Sequence, residues 1–300
     1  MYDAAIIGGG PAGLNAALML GRARRTVVLL DDNKARNAVS RESHGFLTRD
    51  GIRPSDLRLL AQQELKKYAS VTGAPDRVIQ VERSGPGFKV VTEDGFTVMS
   101  RTLVLATGFK EVLPEIPGIR EFYGQSLFNC PYCDGWELRD KGLVLVSDGL
   151  HLFQMAKLLV QWSRDLLVCT NGWNGMTPEQ ARALAARGIQ IHFGRIAGLE
   201  GEEGQLKELK FTDGSSVLRE GGFVKTQWVQ GAPFGYRLGC RINAHGGLLT
   251  DSTGRTTVPG VFAAGDAAVS GPTLQIIAAA EGSRAAMGVN QYLTDLDFGW

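Results

Sequence analysis

Ala4-Ala5-Ile6-Ile7-Gly8-Gly9-Gly10-Pro11-Ala12-Gly13 is the stretch from which the fold can be read. Its first four residues, all apolar, make a short buried strand, after which Gly8, Gly10 and Gly13 fall in G-x-G-x-x-G spacing. In that pattern the first glycine makes a tight turn, the second lets a pyrophosphate meet the backbone, and the third lets the next helix pack close to the strand. The spacing alone is weak, so its surroundings decide. An alanine-rich helix follows from Pro11 to about Leu20, and a second strand, Val27-Val28-Leu29-Leu30, ends at Asp31, an acid placed to accept the hydroxyls of an adenosine ribose. Together these predict a dinucleotide site built on Gly8, Gly10, Pro11, Ala12, Gly13 and Asp31.

Working outward, residues 32–54 are polar and irregular, and a loop beside a dinucleotide site is expected to touch the cofactor. Arg36, Asn37 and His44 are its candidate contacts, with His44 as a satisfied loop histidine the alternative. A helix over Ser55–Tyr68 precedes strands around Arg77–Glu82, which carry the candidate contact Val78, and around Phe88–Thr92. Thr102-Leu103-Val104-Leu105-Ala106 reads as a buried strand closing on a Thr107-Gly108 turn. Far downstream Val258–Asp266 is another, in which Asp266 can bind a ribityl hydroxyl and the amides around Gly265 can meet phosphate.

A second chemistry lies mid-chain, in Cys130-Pro131-Tyr132-Cys133-Asp134-Gly135. Two cysteines at this spacing can close a small disulfide ring. A helix opened by Pro131 would place a thiolate near its positive end and lower the thiol pKa, as thiol–disulfide exchange requires. Asp134 beside them can give or take the proton of a leaving thiolate. Half of a structural zinc site is the alternative reading, but zinc needs four ligands. Cys169 and Cys240 are far apart and form no second pair, so no metal is expected.

Composition bounds the rest. The 300 residues suffice for two domains, and 39 glycines with 44% hydrophobic content suit an α/β protein with many tight strand-to-helix turns. A formal charge of +1 gives no basic field for nucleic acid. No apolar run has the length of a membrane span, and Met1–Gly10 runs straight into strand and glycine loop, which leaves no room for a signal peptide. A cytoplasmic protein is expected, in which one closely spaced cysteine pair is catalytic and not a structural staple.

The glycine loop, the Ala106-Thr107-Gly108 turn, Cys130-x-x-Cys133-Asp134-Gly135 and Gly260-Val261-Phe262-Ala263-Ala264-Gly265-Asp266 stand in the order and approximate spacing of the low-molecular-weight thioredoxin reductases, which the whole chain resembles. The resemblance implies an α/β fold of two Rossmann-like, three-layer dinucleotide-binding domains. A discontinuous FAD domain would span residues 1–115 and 243–300, with a dithiol domain of NADPH-binding type inserted over 116–242. It implies that Cys133 lies against the flavin, that Cys130 attacks the partner disulfide, and that Gln275 and Ile276 reach the flavin ring through their backbone. It also implies a homodimer and a thioredoxin-like protein or a small dithiol or disulfide as substrate.

The inserted domain departs from that pattern. After the strand Leu143–Val146 comes Ser147-Asp148-Gly149-Leu150-His151-Leu152 where the family has G-x-G-x-x-A, and only Gly149 survives. After Leu166–Val168 comes Cys169-Thr170-Asn171-Gly172 in place of the basic run that grips the 2′-phosphate of NADPH. The helix from Leu152 to Trp162 keeps its apolar stripe, so the domain is still expected to fold. Two related branches fit: dithiol oxidases of small metabolites with oxygen as acceptor, resembled by the Arg36-Asn37-Ala38 and His44-Gly45-Phe46-Leu47 stretches, and reductases fed by ferredoxin, resembled by Asp134. A flavin-loaded redox sensor without turnover is the reading from outside enzymology. The chain end, Thr294–Trp300, reads as a polar tail that is either disordered or stacks Phe298 or Trp300 over the flavin.

Overall fold

The computed structural model describes residues 1–269 and 271–299. The chain divides into two compact units. The first is Met1–Ala38, Gly45–Lys110 and the return from Trp228; the second is Val39–His44 and Glu111–Gln227. In chain order the first unit opens with β1 (Tyr2–Ile7), α1 (Pro11–Arg22), β2 (Val27–Leu30), α2 (Pro54–Leu65), β3 (Val71–Ala74), β4 (Val78–Ser84), β5 (Gly87–Thr92) and β6 (Thr97–Leu105). Through β7 (Phe109–Val112) the chain enters α3 (Ile119–Phe122), β8 (Leu127–Phe128), α4 (Pro131–Asp134), β9 (Leu143–Val146), α5 (Leu152–Leu159), β10 (Leu166–Cys169), α6 (Pro178–Ala185) and β11 (Gln190–His192). Then come β12 (Ile196–Glu202), β13 (Gln205–Phe211), β14 (Ser216–Leu218) and β15 (Gly221–Val224). Strand β16 (Gln227–Gln230) leads back to α7 (Phe234–Arg237), β17 (Val261–Ala263) and α8 (Gln275–Phe298).

In the first unit the strand order is β3-β2-β1-β6-β5-β4. β6 is long enough to pair β5 over Thr97–Ser100 and β17 over Leu103–Leu105. β2 is buried throughout and β1 from Ala4 to Ile7, as parallel strands covered on both faces must be. Alternation sorts their side chains. Ala4, Ile6, Val27, Leu29, Val104 and Phe262 face α1 and α8, while Ala5, Ile7, Val28, Leu30, Leu103 and Leu105 face the layer that holds Val81, Val90 and Phe234. Small residues let the two helices touch: a Cβ on Gly282 of α8 would stand 2.1 Å from the Ala12 carbonyl oxygen of α1.

Two expectations fail in the returning segment. The first unit resumes at Trp228 and not at residue 243, because Phe234 and Cys240 are buried in its core with Leu30 and Leu105. The expected tail after Leu293 is helix to Phe298. Arg25 donates to Asp297, Asn290 and Thr294, and Arg101 also pairs with Asp297, so the polar residues of the last turn have partners on the unit's own surface. Phe298 is exposed, and Trp300 lies outside the described residues.

The second unit has a parallel sheet, β11-β10-β9-β15-β8, and a three-stranded antiparallel sheet, β12-β13-β14. On α5, Leu152, Ala156 and Leu159 are buried. The helix stops at Leu159, short of the expected Trp162, where hydrogen bonds tighten to three-residue spacing at Gln161 and Trp162. No helix among the described residues is long and apolar enough to cross a membrane.

Candidate active site

The turn after β1 sorts its glycines by what a side chain would meet. A Cβ on Gly8, whose φ is +109°, would lie 2.2 Å from the Ala106 carbonyl oxygen, and one on Gly13 would lie 1.8 Å from the Gly8 oxygen. These two permit close packing of strand, turn and helix. A Cβ on Gly10 meets nothing within 4 Å. Gly10 is the N-cap of α1, no side chain caps the helix, and Pro11 occupies its first turn. The start of a twelve-residue helix with open space beside a glycine is what a pyrophosphate needs. At the end of β2 the Asp31 carboxylate lies against Gly9 and pairs with Arg58 at 3.3 Å. Arg58 was not foreseen; it comes from α2, and its Nε is buried without a protein partner.

Arg36 and Asn37 sit on a short 3-10 turn over Arg36–Val39. The Arg36 guanidinium pairs with Asp266 at 2.9 Å and lies over the Phe109 ring at 4.4 Å, and Phe109 stacks on Trp228. Burial pushes the Asp266 carboxyl up, and Arg36 draws it back. Gly265, at φ +65°, brings this turn against Ala12. Thr107 and Gly108 close β6, where the Gly108 oxygen accepts from Gly231 at 2.9 Å; Val78 is buried at the start of β4; Gln275 and Ile276 open α8. Gly8–Gly13, Asp31, Arg36, Asn37, Val78, Thr107, Gly108, Gly265, Asp266, Gln275 and Ile276 thus all belong to the first unit.

His44 does not. With Val39–His44 it belongs to the second unit, because Arg41 donates to Gln125 at 2.9 Å and Val39 packs on Gly124. There its Nε2 lies 3.6 Å from a Glu137 oxygen and 3.7 Å from one of Glu42.

Cys130 and Cys133 are joined as a disulfide with Cα atoms 5.3 Å apart. Cys130 caps α4, Pro131 opens it, and the amides of Cys133 and Asp134 both donate to the Cys130 oxygen. Gly135 is required next: a Cβ there would strike the Pro131 oxygen and the Trp162 ring, on which Tyr132 packs edge-on. Asp134 is half-buried, and burial raises its pKa to about 7. Glu137 and Glu111 add to the rise, and His44 opposes it. A carboxyl poised near neutrality can donate and recover a proton. Glu111 is fixed by Tyr123 and Asn129, which both donate to it. Sequence reasoning missed Glu111 and Glu137, whose only signal is that each stands near a motif without being part of it. No metal-binding cluster occurs among the described residues.

A split parallel fold with a glycine-loop nucleotide site and a separate Cys-x-x-Cys unit defines a class, and the comparisons bear it out. Residues 2–282 match the family described as pyridine nucleotide-disulphide oxidoreductase, and the chain belongs to that family. Within it the chain is a thioredoxin reductase-like disulfide oxidoreductase. A putative thioredoxin reductase TrxB from Bacillus anthracis is 40% identical with a TM-score of 0.95, covering 99% of this chain and 100% of its own. The structure of HlmI is 37% identical with a TM-score of 0.93, over 99% and 94%. A probable thioredoxin reductase of Arthroderma benhamiae is 31% identical over 96% of this chain and 80% of its own. The family binds FAD, and the open Gly10 cradle, the Asp31 carboxylate and the half-buried Asp266 fit that cofactor.

Proposed function

We propose that the chain passes two electrons between FAD and the Cys130–Cys133 pair, and that NADPH does not supply them. The observation that carries this reading is the turn after β9, the counterpart of the glycine loop. In the first unit Gly8–Gly10 lead directly into α1, whereas Ser147–His151 intervene before α5 begins at Leu152. Ser147 is buried with its Oγ unpartnered, and Leu152 is fully buried, so the turn has neither the bare backbone nor the close helix start that a pyrophosphate uses. At the end of β10 the side chains are committed locally: Thr170 donates to the Phe193 oxygen and Asn171 accepts from Ile196. Arg195 packs against Gly172, where the sequence has no basic run.

Bound FAD supplies two-electron oxidation and reduction. Toward it, the start of α1 at Gly10 takes the pyrophosphate, Asp31 the ribose hydroxyls, Asp266 with Arg36 the ribityl chain, and the backbone at Gln275 and Ile276 the ring. Cys130 would exchange with the substrate, Cys133 would be the thiol that faces the flavin, and Asp134 would hold the proton. A thioredoxin-like disulfide suits the thioredoxin reductase relatives, with a protein donor such as ferredoxin. A small-dithiol oxidase that passes its electrons to oxygen is the second reading, favoured by Tyr132, between the cysteines, and Trp136, three residues after Cys133, which are each 66% exposed. The test is anaerobic mixing with NADPH, NADH, dithiothreitol or reduced ferredoxin while flavin bleaching is followed. Slow bleaching by both nucleotides and fast bleaching by the dithiol or ferredoxin is expected. Rapid bleaching by micromolar NADPH would sink the reading.

A further inference from the structure

We propose that Arg58 is a positioning residue for the adenosine end of the FAD site: its guanidinium holds the Asp31 carboxylate ready for the ribose hydroxyls. This rests on the reading of Asp31 as the ribose acid. Arg58 lies in the second turn of α2 and shares a helix face with Pro54, Leu57, Ala61 and Leu65, the face that turns inward. Only 15% of its side chain is exposed, and a cation on such a stripe needs a partner. Its Nη2 donates to Asp31 Oδ2 at 3.3 Å and to Asn33 Oδ1, while its Nε is buried without a protein partner. Among the described residues Asp31 is the only carboxylate that pairs with this guanidinium.

The need for such a hold follows from where Asp31 stands. Its amide donates to the Ala74 oxygen at 3.2 Å, so the end of β3 fixes its backbone. The carboxylate beyond it can still turn about its own side-chain bonds. Gly9 meets one edge, since a Cβ there would lie 2.5 Å from Oδ2, and Arg58 grips the same oxygen. Asn33, at φ +61°, takes a left-handed turn that asparagine tolerates, and it anchors the nitrogen that holds Asp31. Two adjacent ribose hydroxyls can both donate to a carboxylate only when its oxygens face them together. A carboxylate already held on one edge binds them without the cost of being ordered during binding.

The experiment loads the full-length protein with excess FAD, dilutes it to nanomolar concentration and follows flavin release by fluorescence. Wild type is compared with Arg58→Met, Asp31→Asn and the double variant; methionine suits an inward helix face, so α2 is kept. Arg58→Met should speed release by about tenfold or more, as the loss of a charge-assisted hydrogen bond predicts, and Asp31→Asn by at least as much. In the Asp31→Asn background Arg58→Met should add less than about twofold, because a residue that acts through Asp31 has nothing left to position. Asn33→Gly keeps the left-handed turn and removes the second acceptor, so it should speed release to a smaller extent. Equal acceleration by Arg58→Met in both backgrounds would mean a general loosening of α2 and would overturn the role of Arg58 alone. Unchanged release in both Arg58→Met and Asn33→Gly would do the same. Unchanged release in Asp31→Asn would overturn it together with the ribose reading.

Discussion

Replacing Asp134 by asparagine tests the burial of that carboxyl without any turnover. Folding raises its pKa from 3.8 to about 7, a difference of about 3 units. At 1.36 kcal/mol per unit this is on the order of 4 kcal/mol, and solvent at the half-buried side chain reduces it to about 2 kcal/mol. Because the folded pKa lies above the unfolded one, the stability tied to the neutral acid is fully present below about pH 3.8 and is lost as pH rises to about 7. Asparagine keeps the shape and escapes that loss. Urea unfolding of the oxidised proteins should therefore give equal stabilities near pH 4, and at pH 8 a variant more stable by about 2 kcal/mol. A difference that stays flat from pH 4 to 8 would mean that Asp134 ionises freely and would refute the argument.

Gly10→Val should fold normally yet lose bound flavin, whereas Gly13→Ala, whose Cβ has no room, should cost about 1–3 kcal/mol; flavin content and thermal unfolding separate the two. Cys130→Ser should leave the Cys133 thiolate free to donate charge to the flavin and give a long-wavelength absorbance band, and Cys133→Ser should not; the same spectrum from both would undo their division of labour. Asp297→Asn removes the negative charge that Arg25 and Arg101 share at the end of α8, so hydrogen exchange should rise there while flavin fluorescence stays unchanged; the reverse pattern would restore the flavin-stacking tail.

What the sequence disclosed was local. Strand, glycine loop, helix and acid lie within the first 31 residues, and Cys130–Asp134 are contiguous, so each could be read from a short stretch and its immediate surroundings. What it withheld was assembled from afar. Nothing near His44 says that Val39 packs on Gly124 or that Glu137 will stand beside the ring. The chain end looked like a tail because its charges are satisfied by Arg25 and Arg101, far upstream. Strand β3, Val71-Thr72-Gly73-Ala74, is short, half-exposed and carries a glycine; only pairing with β2 makes it a strand.

The packing of α8 on α1 also bears on how the protein is made. Asn15 donates to the Ala279 oxygen across 264 residues, and β17 enters the sheet beside β6 only after the whole second unit has been synthesised. On the ribosome the nucleotide-binding half must wait with the apolar face of α1 uncovered, while the dithiol half, contiguous but for Val39–His44, can finish first. A truncation between Gln227 and α8 would release a chain with a complete cysteine unit and an open, aggregation-prone sheet, so cofactor loading would wait for full-length synthesis.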